Sequence, residues 1–158
     1  MSSQYNIKNI KTLRTSNGVA LTANLYDGKT FVASIEDRGD GGSLWIYWDL
    51  DRERHQRNVQ QWWKQNCEGH WTAQFMDSDN ALENAMELLI EHAQLNKDAK
   101  KNIVFRSGEN TYKWRNSDLS DLPALMRIAY DYPEAECWNV ETQKWSVVKS
   151  FIAEQVSI

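Results

Sequence analysis

What this chain has little of narrows its reading before anything it contains. Two prolines and seven glycines in 158 residues are too few for a disordered linker, a collagen-like repeat or a low-complexity segment. Two cysteines, Cys67 and Cys137, allow one bridge at most, so no disulfide framework holds the fold and reduced, structural thiols are expected. No stretch approaches the roughly 18 uninterrupted apolar residues of a membrane span. The opening Met-Ser-Ser-Gln-Tyr-Asn lacks the apolar core of a secretion signal. The expectation is a soluble, cytoplasmic protein with no membrane partner.

Net charge is also small. A value of −4 is well short of an acidic mimic of DNA and has the wrong sign for a dedicated double-strand binder. Basic residues gather locally instead. Arg52, Arg54, Arg57 and Lys64 fall in one segment, and Lys97, Lys100, Lys101, Arg106, Lys113 and Arg115 in another. Each group reads as a solvated face that an anion can approach.

Signatures of catalysis and metal binding are missing as well. None of Gly-x-x-x-x-Gly-Lys-[Ser/Thr], Gly-x-Gly-x-x-Gly or Gly-x-Ser-x-Gly occurs, so neither a phosphate cradle nor a nucleophile elbow is indicated. Cys67 and His70 have the spacing of half a zinc site, with His55 and His92 as further nitrogens. The second close pair that completes four ligands is absent, so no metal and no cofactor are expected. The loop Asp37-Arg38-Gly39-Asp40-Gly41-Gly42 carries two carboxylates but not the alternating oxygens and closing glutamate of a calcium loop. A small hydrolase would be built on Asp37, Asp40, Asp49 and Asp51. Acidic residues beside turns and helix starts more commonly cap or solubilise.

What is present points to an α+β protein, read as one domain in two halves, 1–96 and 97–158. With 41% apolar residues the chain is long enough to bury a core without a staple. The first half opens with an antiparallel meander of strands at 5–14, 19–26, 30–36 and 43–49. Asn17-Gly18 and Asp27-Gly28 supply the turns between them. Alternation puts Val19, Leu21, Ala23 and Leu25 on one face of the second strand, and Phe31, Ala33 and Ile35 on one face of the third. A helix begins near Asp51, with Val59, Trp62 and Trp63 at helical spacing and Asp49, Asp51 and Glu53 at its amino end. A second runs from about 79 to 95, with Leu82, Ala85, Met86, Leu89, Ile90 and Ala93 as its apolar stripe and Asn80 and Glu83 spaced as a capping box. The second half reads β-β-α-β-β. It pairs strands around Ser107-Gly108-Glu109-Asn110, then has a helix from Ser120 to about Tyr130, then a closing hairpin of 136–140 with 144–148.

Eight tryptophans are the strongest anomaly. Tryptophan combines a large apolar area with one N–H donor, which suits wet-edged cores, protein interfaces and platforms on which bases stack. Trp71, Trp114, Trp138 and Trp145 lie in patterns that a core explains. Trp45, Trp48, Trp62 and Trp63 crowd beside the glycine loop and the arginines. An exposed tryptophan beside Arg54 or Arg57 would stack on a base and pair with a phosphate. The candidate contact residues are therefore Trp45, Trp48, Arg54, Arg57, Trp62 and Trp63.

The stretch Gly18-Val19-Ala20-Leu21-Thr22-Ala23-Asn24-Leu25-Tyr26, then Gly28-Lys29, then Ala33-x-Ile35-Glu36-x-x-Gly39-x-Gly41-Gly42, resembles the opening of small phage and prophage accessory proteins of unassigned function. The resemblance spans about a quarter of the chain. It implies a short accessory protein made by a phage or mobile element, and it carries over no catalytic residue. The leading expectation is thus a non-enzymatic inhibitor that binds and neutralises a host component, either a defence protein or its nucleotide signal. The alternatives are a single-stranded nucleic-acid-binding protein and the carboxylate hydrolase, and a homo-oligomer is compatible with each.

Overall fold

The structure, a computed structural model, describes residues 5–76 and 79–157; residues 1–4, part of the opening segment read above for a secretion signal, fall outside that range. The chain is α+β and divides into two compact units, Met1–Ala93 and Gln94–Ile158. The division falls inside a helix, slightly before the 96/97 boundary expected from sequence.

The first unit begins with β1 Tyr5–Thr15, β2 Gly18–Asp27, β3 Thr30–Asp37 and β4 Trp45–Trp48, an antiparallel sheet in the order β1-β2-β3-β4. Gly28 opens the second hairpin at φ 60°, a conformation that carries no Cβ penalty in glycine. The first hairpin differs from expectation. Thr15 pairs with Gly18, so Ser16-Asn17 make the turn and the glycine starts the strand. Its role is close approach: a Cβ on Gly18 would lie 2.6 Å from the Gly39 carbonyl oxygen.

Two bulges decide which side chains face which way. In β1 the pairing passes from Lys8 with Asn24 to Lys11 with Thr22, and Asn9 takes φ 57°, a left-handed conformation that asparagine tolerates better than most residues. Ile7 and Ile10, three apart, therefore both join the core, and Lys8 and Lys11 both turn away from it. In β3 the register shifts so that Leu25 pairs with Ala33 while Tyr26 pairs with Phe31. The expected Phe31, Ala33 and Ile35 face is broken there. Val32 is fully buried beside Ala33 and Ile35, whereas Phe31 meets Tyr26 edge-on at 5.8 Å between ring centroids.

Helix α1, Arg52–Asn66, and helix α2, Ala81–Ala99, cover one face of this sheet. From α1 come Val59 and Trp63, and from α2 Ala85, Met86, Leu88, Leu89 and Ile90, against Ala23, Leu25, Val32, Ala33 and Ile35. Each large side chain buried here contributes about 1.5–3 kcal/mol of hydrophobic stabilisation. Leu88 lies outside the expected stripe because α2 is buried on more than one side. Glu83, expected to close a capping box with Asn80, accepts the Leu44 N–H at 3.1 Å, which ties the end of the glycine loop to α2.

The second unit holds β5 Asn102–Ser107, β6 Asn110–Arg115, α3 Leu122–Asp131, β7 Glu136–Asn139, β8 Lys144–Val147 and α4 Val148–Val156. Its sheet is antiparallel in the order β6-β5-β7-β8. The Asp121 carboxylate caps α3 by accepting the Ala124 N–H at 3.2 Å, and Pro123 sits in the first turn. Helix α4 was not expected; its signal is Val148, Phe151 and Ile152 at i, i+3 and i+4. Ile103, Phe105 and Cys137 pack with α3 and α4, while Val104 and Trp138 pack with Leu95 of α2. Both faces of the second sheet are thus covered.

Candidate functional site

No described element of the first unit covers the other face of its sheet. On β4, Trp45 and Tyr47 share this open face at 49% and 50% exposure. Pairing carries two rows across the sheet. One runs Trp45, Glu36, Thr22, Lys11 and the other Tyr47, Ser34, Asn24, Lys8. At ordinary strand spacing the aromatic edge on β4 and the lysine edge on β1 stand about 14 Å apart, and Trp45 and Tyr47 about 7 Å from each other. Polar side chains that donate and accept hydrogen bonds fill the interval.

The face is partly organised in advance. The Arg38 guanidinium lies 4.4 Å from the Trp45 ring centroid and meets the Glu36 carboxylate at 3.5 Å. The Tyr47 hydroxyl donates to the other Glu36 oxygen at 3.4 Å. The Lys8 ammonium sits 4.7 Å from the centre of the Tyr26 ring. Asp37 and Asp40, the central residues of the hydrolase reading, accept the backbone N–H groups of Gly39 and Gly42 at 2.8 and 2.9 Å, which folds the loop that holds Arg38 over Trp45.

The six residues expected to form one site do not converge. Trp45 is on the open face, but Trp48 has the opposite parity and packs on the core. Helix α1 lies on that core side, so Arg54 and Arg57 are across the sheet from Trp45. Arg54 pairs with Asp51 at 3.0 Å, and Arg57 stands with Gln56, Gln60 and Lys64 on the outer face of α1. Trp62 is half-buried, edge-on to His92 at 5.7 Å. Trp63 is a correction: it is fully buried, with its indole N–H donated to the Thr72 hydroxyl at 2.8 Å, and no ligand reaches it. Helical geometry is the reason, since neighbours diverge by about 100° and only one can face the core squarely. Trp71 is corrected the other way, being 55% exposed, while Trp138 is buried as expected.

The sequence reading missed Lys8, Lys11, Tyr26, Phe31 and Arg38 as a set. The available signal was Ile7 and Ile10 at a spacing of three within a strand, with an asparagine between them, which marks a bulge.

The Cys67 and His70 region is structural. A 3-10 turn, Trp71–Phe75, starts at His70, whose Nδ1 accepts the Thr72 N–H at 3.3 Å and lies 2.7 Å from the Thr72 hydroxyl. Its Nε2 is 2.9 Å from Glu91. A hydroxyl, an imidazole and a carboxylate in line have the connectivity of a nucleophile relay, but Thr72 is fully buried. The line clamps the turn to α2. Burial pushes the Cys67 thiol up, and among the described residues no group of three or more histidines, cysteines and carboxylates is arranged to hold a metal.

Two titratable groups on α2 are shifted by their surroundings. Burial pushes the His92 imidazole down to about 4, against an opposing pull from Glu91. Burial, with Asp37, Glu83 and Glu91 nearby, pushes the Glu87 carboxyl up. Both sit on the core side, away from the open face. No helix among the described residues is long and apolar enough to cross a membrane. No protein-family model, curated protein or solved structure matches the chain.

Proposed function

We propose that this chain is a non-enzymatic protein that binds single-stranded nucleic acid on the open face of its first sheet. One observation carries the reading: strand pairing and two bulges put aromatic rings and lysines on the same side of one sheet, with Trp45 and Tyr47 on the β4 edge, Lys8 and Lys11 on the β1 edge, and Tyr26 and Phe31 between them. Rings stack on bases of any sequence, and lysines neutralise phosphates. The span between the edges, about 14 Å, is more than a mononucleotide covers and suits several nucleotides of a strand. That favours a strand over a signalling nucleotide.

Glu36 is the carboxylate in this field, and it is already engaged by Arg38 and Tyr47, so it offers little repulsion to a phosphate. A chain of net charge −4 gains no general attraction for nucleic acid, and binding would depend on these local cations.

Fluorescence anisotropy with labelled single-stranded oligonucleotides at low salt tests the reading. Trp45→Ala and Tyr47→Ala should each weaken binding about tenfold or more, given the usual worth of base stacking. Replacing Lys8 and Lys11 together by Gln should reduce the slope of log affinity against log salt by about 1.4. Flat titrations of the unmodified protein, or full affinity in Trp45→Ala, would sink the proposal.

A further inference from the structure

The second unit has a cavity of about 440 Å³ between the end of α2, the loop before α3, the β7–β8 turn and α4. Its volume is in the range of small-molecule sites. The floor is apolar, made by Trp138, Phe151, Leu119 and Val140, and Trp138 is fixed by an N–H to Asn96 hydrogen bond of 2.8 Å. Three carboxylates stand around it, Asp118, Glu141 and Glu154, each from a different segment, and no lysine, arginine or histidine contributes to the lining.

Three of the six other carboxylates in this unit meet cations. Asp98 pairs with Lys113 at 3.2 Å, Glu136 with Arg106 at 2.9 Å and Asp131 with Arg127 at 3.0 Å. None of the cavity's three carboxylates has such a partner among the described residues. Asp118 is held as an acceptor by the Ser120 N–H at 2.8 Å and by the Ser120 hydroxyl, and those bonds keep its carboxyl below the ordinary range. Like charges converge on an apolar, aromatic floor that supplies no counter-charge.

We infer that this cavity is a binding site for an aliphatic polyamine, whose ammonium groups would meet Asp118, Glu141 and Glu154 while its methylene chain lies on Trp138, Phe151 and Leu119. Three carboxylates on separate segments suit several cationic centres joined by a flexible apolar chain better than one compact cation. The site belongs to the second unit and does not depend on the nucleic-acid reading of the first.

Isothermal titration calorimetry of the full chain with spermidine, at fixed physiological ionic strength, is the direct test. Saturable binding of one spermidine per chain is expected, with putrescine weaker. The double variant Glu141→Gln, Glu154→Gln should bind about fivefold to tenfold more weakly, from the usual worth of partly solvated charge pairs. Val140→Trp, which fills the cavity without removing a charge, should weaken binding as well, and Glu109→Gln, outside the cavity, should leave it unchanged. Equal binding in the double variant and the parent would overturn the assignment. So would complete displacement of spermidine by magnesium at matched ionic strength, which would mark the association as screening of surface charge. Circular dichroism of each variant confirms that any loss is not a loss of fold.

Discussion

The two halves of this protein solve the same problem differently. Each has a four-stranded antiparallel sheet, but the second is covered on both faces and the first, among the described residues of its own unit, on only one. In the second sheet, Val104 and Trp138 point away from α3 and α4 and still find Leu95 and Ala99 of α2. In the first, Trp45 and Tyr47 point away from the helices and remain half-exposed. An antiparallel sheet commonly leaves one face to water, and polar alternation is then sufficient. Large aromatic groups on that face are not what solvation requires. The contrast separates tryptophans that hold the protein together from those available to something else.

The largest effect that would sharpen this contrast comes from truncating one tryptophan on each sheet. Trp138→Ala removes a 2% exposed side chain and leaves Asn96 without its indole donor, so stability should fall by about 3–5 kcal/mol. Trp45→Ala removes a half-exposed one and should change stability by no more than about 0.5 kcal/mol while weakening oligonucleotide binding. Urea unfolding of the two variants beside the parent measures both. Similar losses from both substitutions would show that the open face is structural after all.

The next effect is one of pH. An unfolded chain titrates its histidines near 6.5, whereas buried His92 stays neutral down to about 4. Between those values the unfolded state binds the extra proton, so stability falls as pH drops through that window, by roughly 3 kcal/mol at most. Glu87 has the opposite sign. Its folded carboxyl takes up a proton at higher pH than the unfolded one, so its contribution improves as pH falls. His92→Gln should therefore flatten the loss of stability between pH 6.5 and 4, and Glu87→Gln should stabilise the protein at neutral pH. Thermal melts across that range would show both. A loss as steep in His92→Gln as in the parent would mean that other groups govern acid sensitivity.

Much of this architecture was legible from residue pattern, and the reason is local. The first four strands appear within one or two residues of where alternation and turn residues put them, because period and turn chemistry act over a few residues. Helix α2 was clear from its stripe. Helix α4 was missed because Val148 to Val156 follows a hairpin directly and no capping side chain marks its start. The site was the least legible part. Grouping Trp45, Trp48, Trp62 and Trp63 relied on nearness in sequence, but strand parity sends Trp45 and Trp48 to opposite faces, and helical rotation separates Trp62 from Trp63. What brings the open face together is non-local pairing across four strands, set by two bulges.

That dependence gives the smallest but most discriminating prediction. Asn9 holds φ 57°, and a β-branched residue there is strained, so Asn9→Val should cost about 1–2 kcal/mol while Asn9→Gly should be close to neutral. The more telling readout is where the lysines point. With the bulge in place, Lys8 and Lys11 share the open face. Deleting Asn9 removes the extra residue, so Ile7, Lys8, Ile10 and Lys11 alternate simply, with both lysines still on the open face and the register kept. The deletion variant should therefore keep both its secondary structure by circular dichroism and its salt slope. A slope lowered by about 0.7, the share of one phosphate contact, in a folded deletion variant would mean that the two lysines do not act from one face, and the distinction between the open and the covered sheet would lose its functional meaning.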